Sequence, residues 1–429
     1  MRIESIMLHE VGPFADLRIE LPEGSNPDLA DVYLLTGPNG CGKTTLLYAI
    51  ASIIENDPRL LRPRMWTETS RASLVASGQE RAMTPAGSPE LAAAAAILDD
   101  IAEQRPLKPL DQYTTMVFLR SLGPVKVNWA AFAYAGTREV ESGHVRAISE
   151  QSESPLAGSL SFQGTADTRT LAQWIANQEF KRLKAKETGR GERAEQIAHS
   201  VRVIEQTVAR IIDDPGFAFV TGDDLDLDVR VRHHGVILDM NVLPDGIKSI
   251  VSWTADLLMR LDRIPWVDDT PTVQRSFLLL LDEIDIHLHP AWQRQVIPIV
   301  QRLFPKAQII ASTHSPFVVG SADDAHVITF AMKDGRSVVE SCKPSQVGVS
   351  YSAVLRDIFG ITSEFDVETE RMLAEFHAAK TRLLEGATAD RGIVDDLARK
   401  LAARGEELSS MIGFELRQLE RHLKKQSVG

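Results

Sequence analysis

Cysteine is almost absent from this chain: Cys41 and Cys342 are the only two in 429 residues. That is too few for a disulfide framework or a thiolate zinc site, and it fits a reducing cytoplasm. Long apolar runs are missing as well, since none reaches the roughly 20 residues needed to cross a bilayer. The first residues, Met1 to Leu8, alternate polar and apolar side chains instead of giving the basic-then-apolar run of a secretory signal. These absences predict a cytoplasmic protein with no membrane partner. Positive charge is also short, with 47 Lys and Arg against 59 Asp and Glu, a net charge of −12. A broad basic face for coating nucleic acid is therefore disfavoured, although basic stretches occur at Lys181 to Arg193 and Arg417 to Lys425. Finally, no sustained apolar heptads run through the polar middle of the chain, which argues against a long coiled coil.

What is present is strand and helix patterning at the two ends of the first 345 residues. Ile3 to Leu8, a Gly12-Pro13 turn and the alternation Leu17, Ile19, Leu21 predict a hairpin. Val32 to Thr36 predicts a buried strand and Thr45 to Ile54 a helix, with a glycine-rich loop between them. Asn56 to Pro106 is rich in Pro, Gly, Ser and Ala, including the run Ala92 to Ala96. Strand character returns at Tyr113 to Leu119 and Val125 to Tyr134, and Thr170 to Ile212 is polar and helix-permissive. Farther on, Phe277 to Leu281 is an unbroken apolar run suited to a central parallel strand. It is followed by a helix at Trp292 to Leu303 and a strand at Gln308 to Ser312. Val327 to Phe330 and Ser337 to Glu340 predict a hairpin, and beyond Val367 the pattern is one of charged amphipathic helices.

The loop Gly37-Pro38-Asn39-Gly40-Cys41-Gly42-Lys43-Thr44 has the spacing G-x-x-x-x-G-K-[ST]. Glycines let successive backbone N–H groups curl around phosphate oxygens, Lys43 reaches the β and γ phosphates, and Thr44 offers its hydroxyl to Mg2+. Thr45 extends the same binding segment. Asp282 and Glu283 close the apolar strand, where the aspartate can orient magnesium and the glutamate can take a proton from an attacking water. His314, in Ser312-Thr313-His314-Ser315-Pro316, follows the next strand and is expected at the same sheet edge, within reach of a γ phosphate. His287 and His289 lie beside acidic residues, but with no third ligand evident, His-x-His before Pro290 is read as a turn.

In this order the motifs resemble the ABC-type ATPase head of the RecF, SMC and OLD-like branch. Leu281 to Pro290 is similar to its Walker B strand and D-loop, and Ser312 to Pro316 to its H-loop. The resemblance implies an α/β fold: a P-loop head with a mixed or parallel sheet, an antiparallel N-terminal sheet, a helical insertion and a helical C-terminal appendix. It divides the chain into 1–55 and 220–345 as the halves of the head, 56–219 as an insertion or arm, and 346–429 as the appendix. It further implies ATP and Mg2+ as ligands. It also implies a homodimer or higher oligomer in which one copy supplies a signature loop to the other's phosphate. The candidate signature segment is Val242 to Ser249, with Asp245 and Gly246 as nucleotide-facing residues and Lys248 as an added charge. This segment departs from the family in having Pro244, without hydroxyl or N–H, where serine is usual. Gln163 is the candidate for the magnesium-sensing glutamine, and no residue marks itself as the adenine-stacking group. Ala131 to Arg138 and Gly348 to Gly360 are similar to ATPases of this branch in bacterial anti-phage systems. That resemblance implies a nucleotide-gated switch for a separate effector, a nuclease or toxin. The alternative is a RecF-like ATPase that binds DNA in repair or recombination. A fused OLD-like nuclease domain is not expected, because Asp395-Asp396 sits in a helical pattern.

Overall fold

The computed structural model describes residues 1–65, 67–85, 126–136, 145, 147–149, 154–162, 168–222, 228–345 and 348–426. The strand expected at Tyr113 to Leu119, the run Ala92 to Ala96, Gln163 and the pair Thr137 and Arg138 lie outside them. The chain divides into two compact units, Met1–Val354 and Leu355–Gly429.

In the first unit β1 (Ile3–Val11) and β2 (Phe14–Glu20) form the expected hairpin, in the register Leu8 to Leu17 and Ile6 to Ile19. β3 (Asp31–Thr36) is buried along nearly its whole length and runs through the glycine-rich loop into α1 (Lys43–Glu55). This helix buries Leu46, Leu47, Ile50, Ile53 and Ile54, each of which stabilises the fold by roughly 1.5–3 kcal/mol on removal from water. β4 (Arg71–Ala76) and β5 (Gln79–Met83) add to the N-terminal hairpin, giving an antiparallel sheet in the order β2-β1-β4-β5. β6 (Ala130–Tyr134) is fully buried. It precedes α2 (Thr168–Glu187), α3 (Gly191–Ile212) and the small antiparallel sheet β7 (Ala218–Thr221), β8 (Val229–His233) and β9 (Val236–Asp239).

α4 (Asp245–Arg263) then leads to β10 (Phe277–Leu281), α5 (Pro290–Leu303), β11 (Gln308–Ser312) and the hairpin β12 (Ala325–Lys333) and β13 (Arg336–Pro344). The central sheet has the order β13-β12-β3-β11-β10-β6, and all its pairs are parallel except β12 with β13. Between the two large sheets, α1 shares a core with Phe14, Tyr33, Ile310 and Phe330. The Gln308 side chain ties the sheets directly, accepting from the Ile3 N–H and donating to the Ile3 carbonyl, both at 2.8 Å. The span expected as an insertion or arm, 56–219, holds two helices and also strands that join the two large sheets. Within that span β4 pairs with β1, β5 with β4 and β6 with β10, because the apolar strands around Leu74 and Phe132 find their burial there.

The second unit contains α6 (Val367–Leu384), α7 (Arg391–Ala402) and α8 (Glu406–Gln426). Met372, Phe376, Ala379 and Leu383 recur at helical spacing and pack with Val394, Leu401 and Ile412. The division falls after Val354 and not at the expected 345. Asp395 and Asp396 lie on α7 and pair with Arg391 and Lys400 at 3.3 and 2.8 Å, so they are ordinary helical ion pairs.

Candidate active site at the edge of the central sheet

β3, β11 and β10 are parallel neighbours, with Ile310 opposite both Tyr33 and Leu280. Their carboxyl ends therefore open on one edge, the place where parallel α/β sheets receive ligands. The phosphate loop leaves β3 there, Asp282 and Glu283 leave β10, and His314 follows β11.

The loop's shape depends on its glycines. Gly37 (φ 143°) and Gly42 (φ 92°) adopt conformations that side chains resist, and a Cβ at either would lie 2.5 Å from the Phe330 carbonyl oxygen or the Phe14 ring. The loop is also braced from β13, where the Ser337 hydroxyl donates to the Cys41 carbonyl at 2.6 Å. The Cys41 side chain is fully buried, so it packs under the loop. Pro38, Asn39 and Gly40 are exposed along its rim. Lys43 Nζ donates to the carbonyls of Gly37 and Pro38 at 3.0 and 3.2 Å, which holds the ammonium inside the loop's curve. Thr45 is buried, and a side chain at Gly12 would meet its methyl group at 2.8 Å.

Thr44 and Asp282, far apart in sequence, meet here: Thr44 Oγ1 donates to Asp282 Oδ1 at 3.1 Å. The same Oδ1 accepts from Ser312 Oγ at 2.6 Å, and Ser312 Oγ in turn accepts from the Glu283 N–H at 2.7 Å. One hydroxyl at the end of β11 thus fixes both acidic residues. Glu283 itself takes a left-handed conformation (φ 48°), a cost of about 1 kcal/mol or more that the surrounding bonds must offset. The bend brings it close to Gly136, where an added Cβ would stand 2.7 Å from that of Glu283. The hydroxyl of Thr44 and the carboxylate of Asp282 form a pair of hard oxygen donors that fits magnesium shared with substrate phosphates.

His314 is exposed at the same edge, and its N–H donates to the Asp285 carboxylate at 3.2 Å. Burial and the nearby Lys43 charge hold the ring's pKa below the ordinary histidine value, against the opposing pull of Asp285, Glu283 and Asp282. His314 is therefore neutral near pH 7, with one nitrogen able to donate and the other to accept. His289 accepts from the Ala291 N–H at 3.3 Å as the cap of α5, consistent with a turn role for His287 and His289.

The signature-like segment is placed differently. Pro244 precedes the first turn of α4, and Gly246 is buried there so tightly that a Cβ would lie 2.5 Å from the His287 carbonyl oxygen. Asp245 is exposed and accepts from Lys248 Nζ at 3.3 Å. Sequence reasoning did not single out Ser312, Asp285 or Gly136 as functional. Ser312 was within reach, since a hydroxyl ending a buried strand beside the expected histidine needs a polar partner.

Residues 139–320 match the family model described as "AAA domain, putative AbiEii toxin, Type IV TA system", and residues 1–54 match a model described as an AAA domain. Both halves of the nucleotide site thus fall in stretches that match AAA-type ATPase domains. The first match holds Asp282, Glu283 and His314, and the second holds the phosphate loop. The chain is similar to the Retron Ec83 probable ATPase of Escherichia coli, 34% identical over 28% of this chain and 22% of that protein. It is also similar to the Septu protein PtuA of Bacillus thuringiensis, 29% identical over 34% of this chain and 37% of the relative. The aligned stretches thus span well under half the length of these curated relatives. Among solved structures, an SMC head bound to the C-winged helix domain of ScpA matches 80% of this chain and 98% of its own. Its identity is 13% and its TM-score 0.46. The SMC head domain from Thermotoga maritima matches with a TM-score of 0.41 at 15% identity, over 81% of this chain and all of its own. Among the described residues, no helix is long and apolar enough to cross a membrane.

Proposed function

We propose that this ATPase domain binds Mg-ATP, pairs with a second copy of itself in the ATP state, and releases that pairing on hydrolysis. Nucleotide state would thereby gate a separate effector protein in bacterial anti-phage defence. The observation that carries the reading is the bond from Thr44 to Asp282, which joins the phosphate loop to the acidic strand end; it is supported by Glu283, next in the chain, and by His314, whose ring feels the charges of Lys43, Asp282 and Glu283.

In this mechanism the loop N–H groups and Lys43 bind the phosphate oxygens. Thr44 and Asp282 would hold magnesium, which supplies positive charge beside the β and γ phosphates. Glu283 accepts the proton of the attacking water as its oxygen bonds to the γ phosphorus and the bond to the β-phosphate oxygen breaks. Neutral His314 donates a hydrogen bond to a γ oxygen. Gly246 and Lys248 act on the nucleotide of the other copy, through the Gly246 N–H and the Lys248 charge, because Pro244 supplies neither a hydroxyl nor an N–H. Support for an interface comes from Val236, Ile237 and Val242, which are large, apolar and exposed on the stretch running into Pro244. The effector and the defence setting rest on the similarity to the retron and Septu proteins.

The test is ATP hydrolysis by purified protein as a function of its own concentration, with and without duplex DNA, using Glu283→Gln as the blank. A more than linear rise that is indifferent to DNA is expected. Strictly linear activity would overturn the paired mechanism. Activity that appears only with DNA would replace gating with a DNA-binding role of the RecF-like kind.

A further inference from the structure

Away from the ATPase site, Asp214, His233 and His234 bring three ligand atoms within 4.8 Å of one another. Asp214 follows the end of α3 and is 3% exposed. His233 ends β8, and His234 (φ 46°) with Gly235 (φ 79°) forms the two-residue turn into β9. Such a turn needs left-handed backbone at both positions, which fixes where the two imidazoles project.

The aspartate is oriented before any ion is considered. Its Oδ2 accepts from the His234 N–H at 2.8 Å, and its Oδ1 accepts from the Gly216 N–H at 3.1 Å. His233 Nδ1 also hydrogen-bonds Oδ2, so of the carboxylate's roughly four lone-pair positions Oδ1 keeps one open, and Oδ2 gains one where a metal ion replaces the His233 hydrogen bond. His233 Nδ1 lies 2.8 Å from Oδ2, and His234 Nδ1 lies 3.8 Å from Oδ1. Ligand atoms around a tetrahedral zinc ion stand about 3.3 Å apart, given metal–ligand bonds near 2.0–2.1 Å. The two separations, each to a different carboxylate oxygen, fall on either side of that value, so modest turns of the two rings about the carboxylate bring the set to zinc geometry. The rings already stand together, with centroids 4.1 Å apart. The His234 side chain is 67% exposed, which leaves an entry path and a fourth position for water.

We propose that Asp214, His233 and His234 bind one divalent transition-metal ion of the zinc class, clasping the β8–β9 turn to the end of α3. Two imidazole nitrogens and one carboxylate suit zinc and disfavour magnesium, which prefers oxygen donors, so this site is chemically distinct from the one at Thr44 and Asp282. β9 continues through Met240–Val242 to Pro244 and α4. The clasp therefore steadies the strand that feeds the signature-like segment.

The experiment is calorimetric titration of the metal-stripped full chain with zinc, in saturating Mg-ADP so that the phosphate site is masked. The comparison is with His234→Ala and with His233→Gln, which keeps an amide to face Asp214. One zinc equivalent is expected in the unmodified chain, with affinity lowered on the order of 100-fold in each variant. Without metal, the exposed His234→Ala variant should unfold at the unmodified temperature. Cobalt should give the strong visible absorption of a tetrahedral ion only in the unmodified chain. Equal zinc binding by all three proteins, or none by the unmodified chain, overturns the site.

Discussion

The phosphate loop and the Val242–Ser249 segment both place a glycine where a side chain would collide with a backbone carbonyl, at Phe330 in one case and His287 in the other. They are braced differently. The phosphate loop is held from inside the unit by Ser337 and by the folded-back Lys43, and it is joined to Asp282 through Thr44. The signature-like segment has its glycine buried but its outer residues, Val242, Pro244 and Asp245, turned to solvent. In the paired mechanism proposed above, one chain would thus complete the binding and acidic half of the chemistry by itself and leave the other half facing outward. A loop that must hold a highly charged ligand gains from bonds made before the ligand arrives, whereas a loop that acts on a second copy needs accessible edges.

The largest test of the contrast is Lys43→Ala. Removing a charged donor from the loop should weaken ATP binding by on the order of 100-fold or more, as read by calorimetry. Glu283→Gln should leave that affinity intact and slow hydrolysis by roughly 10²–10⁴-fold in single-turnover assays. With ATP it should accumulate a larger particle by light scattering. If it never grows beyond the nucleotide-free form, the outward-facing half has no partner copy.

Smaller effects probe how each loop is held. Gly246→Ala forces a methyl against a backbone carbonyl and should destabilise the protein by about 1–3 kcal/mol, seen as an earlier thermal unfolding. Ser312→Ala removes the hydroxyl shared by Asp282 and Glu283 and should lower the turnover number by about ten-fold, equivalent to roughly 1–1.5 kcal/mol. For His314, burial and Lys43 depress the pKa, so the neutral ring persists as pH falls past the ordinary value of about 6.5. Activity should therefore hold at pH 6.5 and decline only below it, and His314→Gln should remove that acid limb from the pH profile. The smallest change belongs to the exposed Lys248–Asp245 pair, where Asp245→Asn should shift stability by less than about 1 kcal/mol.

Several elements were legible before the fold was known. β10 and β11 have the bounds expected from their apolar runs, and α1 and the β12–β13 hairpin differ only at their ends. The site residues Lys43, Thr44, Asp282, Glu283 and His314 were named because each sits at a strand end or in a loop of characteristic spacing. In the span 56–219, β6 falls within the strand expected at Val125 to Tyr134, whereas β4 and β5 were not anticipated because they are short and lie in a stretch rich in small and polar residues. Asp285 and Gly136 both lie in segments whose resemblance was noted, but neither was given a role of its own, because each acts through one neighbour, His314 or Glu283, that only the fold supplies.

By itself the sequence determined the local units: a strand, loop and helix able to bind phosphate, an acidic strand end, and a helical C-terminal region. Periodicity encodes which face of an element seeks burial, and glycine spacing encodes where backbone must turn, so both are written in neighbouring residues. Only the tertiary structure decided that Thr44 would bond to Asp282 across 238 residues. It also decided that β6 would pair with β10 and carry Gly136 to Glu283, and that Asp214 would meet two histidines of a distant turn. Those meetings depend on strand order and on the packing of α1 between two sheets, and no local pattern specifies which buried edge will pair with which.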